Sequence, residues 1–142
     1  MVNLQNINMD NKLKHLEFIQ NVITRMNSNS FLIKGWTITL VSALFALAAK
    51  DANINYVLVS YIAIPVFWAL DGFYISQERQ YRDLYKAVSS KDESTIDFNM
   101  DASIYCKDDR TWIAGIFSKT LAPFYGITIA ITLIIMFLIK TT

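Results

Sequence analysis

The chain has 142 residues, of which 54% are hydrophobic, 13% aromatic and 18% charged, and its mean hydropathy is +0.31. That length allows one domain, and the apolar excess excludes both a disordered chain and an ordinary water-soluble globule. A net charge of +1 offers no general attraction to nucleic acid, and a single Cys (Cys106) with a single His (His15) excludes an internal disulfide framework and a Cys/His zinc cluster.

Asp10 is placed to cap a helix. After it, Leu13, Leu16, Ile19, Val22, Ile23 and Met26 fall on one face, and Lys14, Glu17, Gln20, Asn21 and Arg25 on the other. The spacing predicts an amphipathic helix over 11–27. Such a helix lies on a membrane surface or packs on another helix, and its few cations favour packing. His15 reads as a solvated surface residue. The run Asn27-Ser28-Asn29-Ser30 predicts a break, and no cleavable signal peptide is expected, because no apolar core with a small-residue cleavage site precedes it.

Three apolar stretches follow, at 31–50, 54–75 and 113–139. Each is long enough for a bilayer core that needs about 20 residues of helix. The second has no stop signal. It is expected to continue as a helix over 76–89, with Glu78→Arg82 and Arg79→Asp83 pairs, and to kink at Pro65. Residues 91–110 read as a polar loop with a short strand or turn near 104–106. A short interfacial helix is expected over 110–118 and a bend at Pro123. The expected fold is therefore an all-α integral membrane protein. Three transmembrane helices are joined by an N-terminal amphipathic helix and a cytoplasmic extension of the second span.

Eleven of the thirteen Lys and Arg fall in the N-terminal segment up to Lys34, between the second and third spans, or at the mouth of the third (Lys119); Lys50 and Lys140 are the exceptions. By the positive-inside rule the N-terminus is expected in the cytoplasm and the C-terminus outside. Trp36, Trp68 and Trp112 then share the inner half, as interface anchors.

Two features stand out within the spans. Gly35, Thr39, Ser42, Ala46 and Ala49 form one stripe of small residues, and Ser118, Ala122, Gly126 and Ala130 form another. Small residues let helix backbones approach in lipid, either between spans one and three or between subunits. Lys34, Asp71 and Lys119 are expected at similar depth on three helices, as snorkelling charges or as a charged latch at the inner mouth of an oligomeric pore. Asp71 is the first choice, because a short carboxylate snorkels poorly. Thr37, Thr39, Ser42, Thr128 and Thr132 are candidates to line such a path.

No phosphate-binding glycine loop and no nucleophile elbow is present, and Asp108-Asp109 has no second acidic cluster to make a metal site. An enzyme is not expected, nor a cofactor or metal. Three spans without an inverted repeat are few for a secondary transporter, so conduction would require an oligomer.

The run 16–26, continuing through Asn29-Ser30-Phe31 to Lys34-Gly35-Trp36, resembles a group of small bacterial multi-pass inner-membrane proteins. So do Ser76-Gln77-Glu78-Arg79 and Arg82 with Leu84-Tyr85. The resemblance covers about half the chain, from 16 to 88. The architecture is similar to membrane accessories and effectors of antiphage systems, of RADAR-associated, CRISPR-associated and SLATT-like kinds. It implies an oligomeric effector or accessory in antiphage defence that forms pores or perturbs the membrane when triggered. The alternative is a non-conducting scaffold that recruits a soluble partner. Expected partners are lipid, further copies of the chain and a soluble cytoplasmic protein, with no direct nucleic-acid contact. The resemblance supplies no catalytic residue.

Overall fold

The computed structural model describes residues 2–51 and 53–141, and the side-chain surroundings of 9–51, 53–139 and 141. Four α-helices follow in order: α1 (Val2–Asp51), α2 (Asn55–Ser90), α3 (Trp112–Ile116) and α4 (Leu121–Thr141). The described part of 91–111 contains three 3-10 turns, at Glu93–Thr95, Ser103–Tyr105 and Asp108–Arg110, and no strand. Within Met9–Asp51, Asn55–Ser90 and Leu121–Ile139 lie helices long and apolar enough to cross a membrane.

The expected break at 27–30 does not occur. The amphipathic segment and the first span are one helix of 50 residues, about 75 Å long. Asn and Ser weaken a helix by only a few tenths of a kcal/mol each. Here tertiary packing outweighs that cost. His15, Ile19, Ile23, Ser30, Thr37, Val41 and Ala48 are buried along one face, at spacings of four and seven. They meet a matching face of α2 that buries Val57, Ser60, Ile64, Asp71, Ser76, Gln80, Leu84 and Val88. The two helices form a long antiparallel hairpin. Its turn is closed by Asn53, whose side chain accepts the backbone N–H of Asn55 at 2.9 Å.

At the polar end of this hairpin, Ile19, Ile23, Leu84, Val88 and Ala102 form a small core, with Leu16, Tyr81, Tyr85, Met100 and Tyr105 around it. The N-terminal stripe thus packs on α2 and the loop. Lys12 donates to the carbonyls of Ser89 and Lys91 at 3.1 and 2.8 Å, satisfying the C-terminal end of α2. His15 is 2% exposed rather than solvated, because Phe98 lies against its ring at 5.4 Å and leaves Nε2 without a partner. Phe98 reaches it with φ of +53°, an uncommon backbone conformation for a large side chain. The loop is shaped by three successive side-chain turns. Asp97, Asn99 and Asp101 each accept the N–H two residues on, at 3.2, 2.8 and 2.9 Å. The Asn99 N–H holds the Asp97 carboxyl below its ordinary value, and the Ser103 hydroxyl, followed by the Ser103 N–H, does the same for Asp101.

The other core lies between the apolar halves of α1, α2 and α4, with Val41, Ile64, Leu121 and Tyr125 buried. Both α3 and α4 pack mainly on α2, whereas α1 and α4 diverge. Pro65 lies inside an uninterrupted α2. Pro123 requires no bend. The helix starts at Leu121, so the proline occupies the first turn, where a missing N–H is tolerated.

The short α3 is docked tightly. An added Cβ on Gly115 would lie 2.2 Å from the Gly72 carbonyl oxygen, and one on Gly72 would lie 2.5 Å from Ile116. Both glycines are therefore required by close approach. Trp68 donates to the Ile116 carbonyl at 2.8 Å and Trp112 to the Ala69 carbonyl at 2.7 Å. Ser76 and Gln80 both donate to the Arg110 carbonyl, at 2.7 and 2.9 Å.

Arg110 also pairs with Asp83 at 2.6 Å. Asp83 was expected to take Arg79, but the returning loop brings Arg110 closer; the Glu78–Arg82 pair forms at 2.6 Å. The Arg110 hydrogen bond is the main reason that the Asp83 carboxyl is held below its ordinary value of 3.8. A carboxyl lowered on folding contributes stability above its unfolded value, and that contribution is lost as pH falls through the folded one. The protection of 103–111 against hydrogen exchange, relative to the intrinsic rate, is therefore expected to hold at neutral pH and to fall below pH 3.8. Asp83→Asn should bring the low protection to neutral pH. Equal protection in the variant and the wild type would show that the pair does not hold the loop.

Candidate functional site

The principal polar site lies where the apolar part of the bundle meets its polar end. Asp71 on α2 is fully buried. Its Oδ2 is 2.7 Å from Lys34 Nζ on α1, and its Oδ1 accepts a short hydrogen bond from Ser30 Oγ at 2.5 Å. Tyr125 on α4 donates its phenol to Oδ2 at 3.1 Å. Lys34 donates further to Ser30 Oγ at 2.8 Å. One carboxylate thus collects three donors from two other helices.

The helical periods explain this convergence. Ser30 and Lys34 are one turn apart, so both reach the same point on α2. Tyr125 is held by Trp68, which stacks on it at 5.6 Å with an interplanar angle of 12°, and by Phe124 edge-on at 4.9 Å. Thr37 is buried beside the phenol and donates to its own helix at Ile33.

A buried carboxylate is costly unless paired and fully hydrogen-bonded. Here the charge is neutralised by Lys34 and the lone pairs are taken by donors. The cluster ties α1, α2 and α4 together, and moving any one of them would expose or orphan the charge. Among the described residues no three His, Cys, Asp or Glu side chains converge to hold an ion.

The structure brings Lys34 and Asp71 together but not Lys119. Lys119 is exposed in the turn between α3 and α4, because the docked α3 turns the chain there before α4 begins. Ser30 and Tyr125 complete the cluster instead. Sequence reasoning treated Ser30 as part of a break and did not single out Tyr125. Their signal was modest: Ser30, Thr37 and Lys34 repeat a polar edge at four and seven in an otherwise apolar segment.

The stripes do not face each other. Gly35, Thr39, Ser42, Ala46 and Ala49 are exposed, since α1 turns the neighbouring face to α2. Ser118 is buried and Ala122 partly so, but Gly126 and Ala130 are exposed. A Cβ added at Gly35 or Gly126 would meet nothing within 4 Å. Packing of span one on span three through these residues is therefore absent within the chain. Between α1 and α4 lies an apolar cleft of about 370 Å³ lined by Val41, Phe45, Phe124, Thr128 and their neighbours. Of the remaining expected path residues, Thr128 and Thr132 bond back to their own helix, at 2.8 Å each. Trp36 and Trp112 are more than half exposed, and Trp68 is partly buried over Tyr125. Comparison with family models, curated proteins and solved structures finds no match.

Proposed function

We propose that the protein is an oligomeric effector or accessory of a bacterial inner membrane, of the antiphage-defence kind, that perturbs or opens the membrane when its polar end is engaged. The observation that carries this reading is the Asp71–Lys34 latch. It sits on two uninterrupted helices that run from the polar end into the apolar layer. A displacement imposed at Ile19, Ile23 or Leu84 is transmitted along rigid rods to a buried charge pair, and breaking that pair admits water. The uncovered Gly35 and Gly126 faces supply close-approach surfaces for neighbouring subunits.

Reconstituted liposomes test this. Asp71→Asn should raise dye or ion release severalfold over wild type, and adding Gly35→Leu with Gly126→Leu should lower both release and the oligomeric mass. Liposomes that stay sealed with every variant, or a monomer in lipid, would exclude a pore. The non-conducting scaffold would then be favoured by the exposed Leu13, Phe18, Phe98 and Ile104 at the polar end, which suit a soluble protein partner. Loss of that partner on Phe18→Glu would support it.

A further inference from the structure

Beside the docked α3 is a recess of about 530 Å³ lined by Arg79, Asp109, Phe117, Ser118, Lys119 and Thr120. Its position follows from the helices. The apolar run of α4 spans Leu121–Ile139, about 28 Å of helix, so Lys119 stands at the level of lipid headgroups if this helix crosses a bilayer. Arg79 lies at the same end, two turns of α2 beyond Asp71.

Among the described residues, neither cation has a carboxylate partner. Asp83, which could have taken Arg79, is held by Arg110. Arg79 spends one N–H on the Asp109 carbonyl oxygen at 2.6 Å. The Asp109 carboxylate, the one acidic group lining the recess, is engaged by Arg110. Below the cations the surface is apolar: Phe117 is 68% exposed and the neighbouring Ile113 is 70% exposed. Ser118 and Thr120 add hydroxyls, and Ser118 Oγ also caps Leu121 N–H at 3.3 Å. Cations and hydroxyls above an apolar flank complement a phosphate group attached to acyl chains better than a free anion. We propose that this recess binds the phosphodiester headgroup of an anionic phospholipid, with Arg79 and Lys119 on the phosphate and Phe117 against the chains. The proposal rests on α4 crossing the bilayer and not on pore formation.

The test is native mass spectrometry of the full chain released from nanodiscs of equal phosphatidylglycerol and phosphatidylcholine. Retained adducts should favour phosphatidylglycerol severalfold, and 10 mM inorganic phosphate (roughly physiological ionic strength or below) should leave them in place. Arg79→Gln with Lys119→Gln should abolish the preference, leaving the two lipids retained about equally. Arg79→Lys with Lys119→Arg should retain it. The charge-matched Lys14→Gln with Lys107→Gln should not change it, and circular dichroism should find all variants equally helical. Equal retention of both lipids by wild type would overturn the site, as would displacement by inorganic phosphate. So would an equal loss in the Lys14/Lys107 variant, which would reduce the effect to general surface charge.

Discussion

Asp71→Ala is expected to destabilise the bundle by about 3–5 kcal/mol, the usual range for removing one partner of a buried pair. The substitution leaves Lys34 facing the bundle interior with its charge uncompensated, and it strands the hydroxyls of Ser30 and Tyr125. Lys34→Ala should cost a similar amount, since it leaves the fully buried Asp71 without its cation. The double variant removes both charges and should be less damaging than the sum of the singles. A double-mutant cycle in detergent, followed by loss of helicity on titration with denaturing surfactant, measures this directly. Additive losses would mean that the two side chains do not share a dry site. A wild-type-like Asp71→Ala would mean that water reaches the cluster, and the latch would lose its physical basis.

Gly115→Ala is expected to undock α3, at a cost of about 1–3 kcal/mol or more, because overpacking here cannot be relieved by a side chain. The new methyl would lie 2.2 Å from a backbone oxygen of α2 and 3.3 Å from the Ser76 nitrogen. Moving α3 away would lengthen the Trp68–Ile116 and Ser76–Arg110 hydrogen bonds and free the preceding loop. Limited trypsin digestion should then cut at Lys107, Arg110 or Lys119 far faster than in wild type. Gly35→Ala and Gly126→Ala provide the contrast. Each stands in open space within the chain, and neither should undock α3 or speed the digestion. If Gly115→Ala is as benign as those two, the close approach of α3 to Gly72 is not maintained. The comparison also separates two kinds of glycine. Gly35 and Gly126 are legible in sequence as members of small-residue stripes, whereas Gly72 and Gly115 belong to no such pattern.

The local signals explain the main errors. The run Asn27-Ser28-Asn29-Ser30 carries real preferences against helix, but these are small beside the burial of the continuous face from Ile19 to Val41. His15 reads as solvated because its helical neighbours on that face are apolar only in one direction. Its burial comes from Phe98, which is remote in sequence and folds back over it. Lys119 was expected near Asp71 by counting residues from the ends of the spans. That count cannot anticipate α3, which turns the chain before α4 starts. Tyr125 escaped notice because an aromatic residue in an apolar span usually packs, and here it both packs on Trp68 and donates to Asp71.

The three apolar helices follow from hydrophobic run length, and the continuation of the second beyond the apolar layer from the absence of breakers after Gly72; both are properties of contiguous residues. So is the prominence of Asp71, since a carboxylate inside such a run demands a partner wherever it folds. Its choice of Lys34, Ser30 and Tyr125 over Lys119 was decided only in the tertiary structure, as were the outward turn of the small-residue stripes and the burial of His15. Each depends on the rotation of one helix about its axis relative to another. That rotation is set by the sum of side-chain packing along the interface, which no single segment encodes.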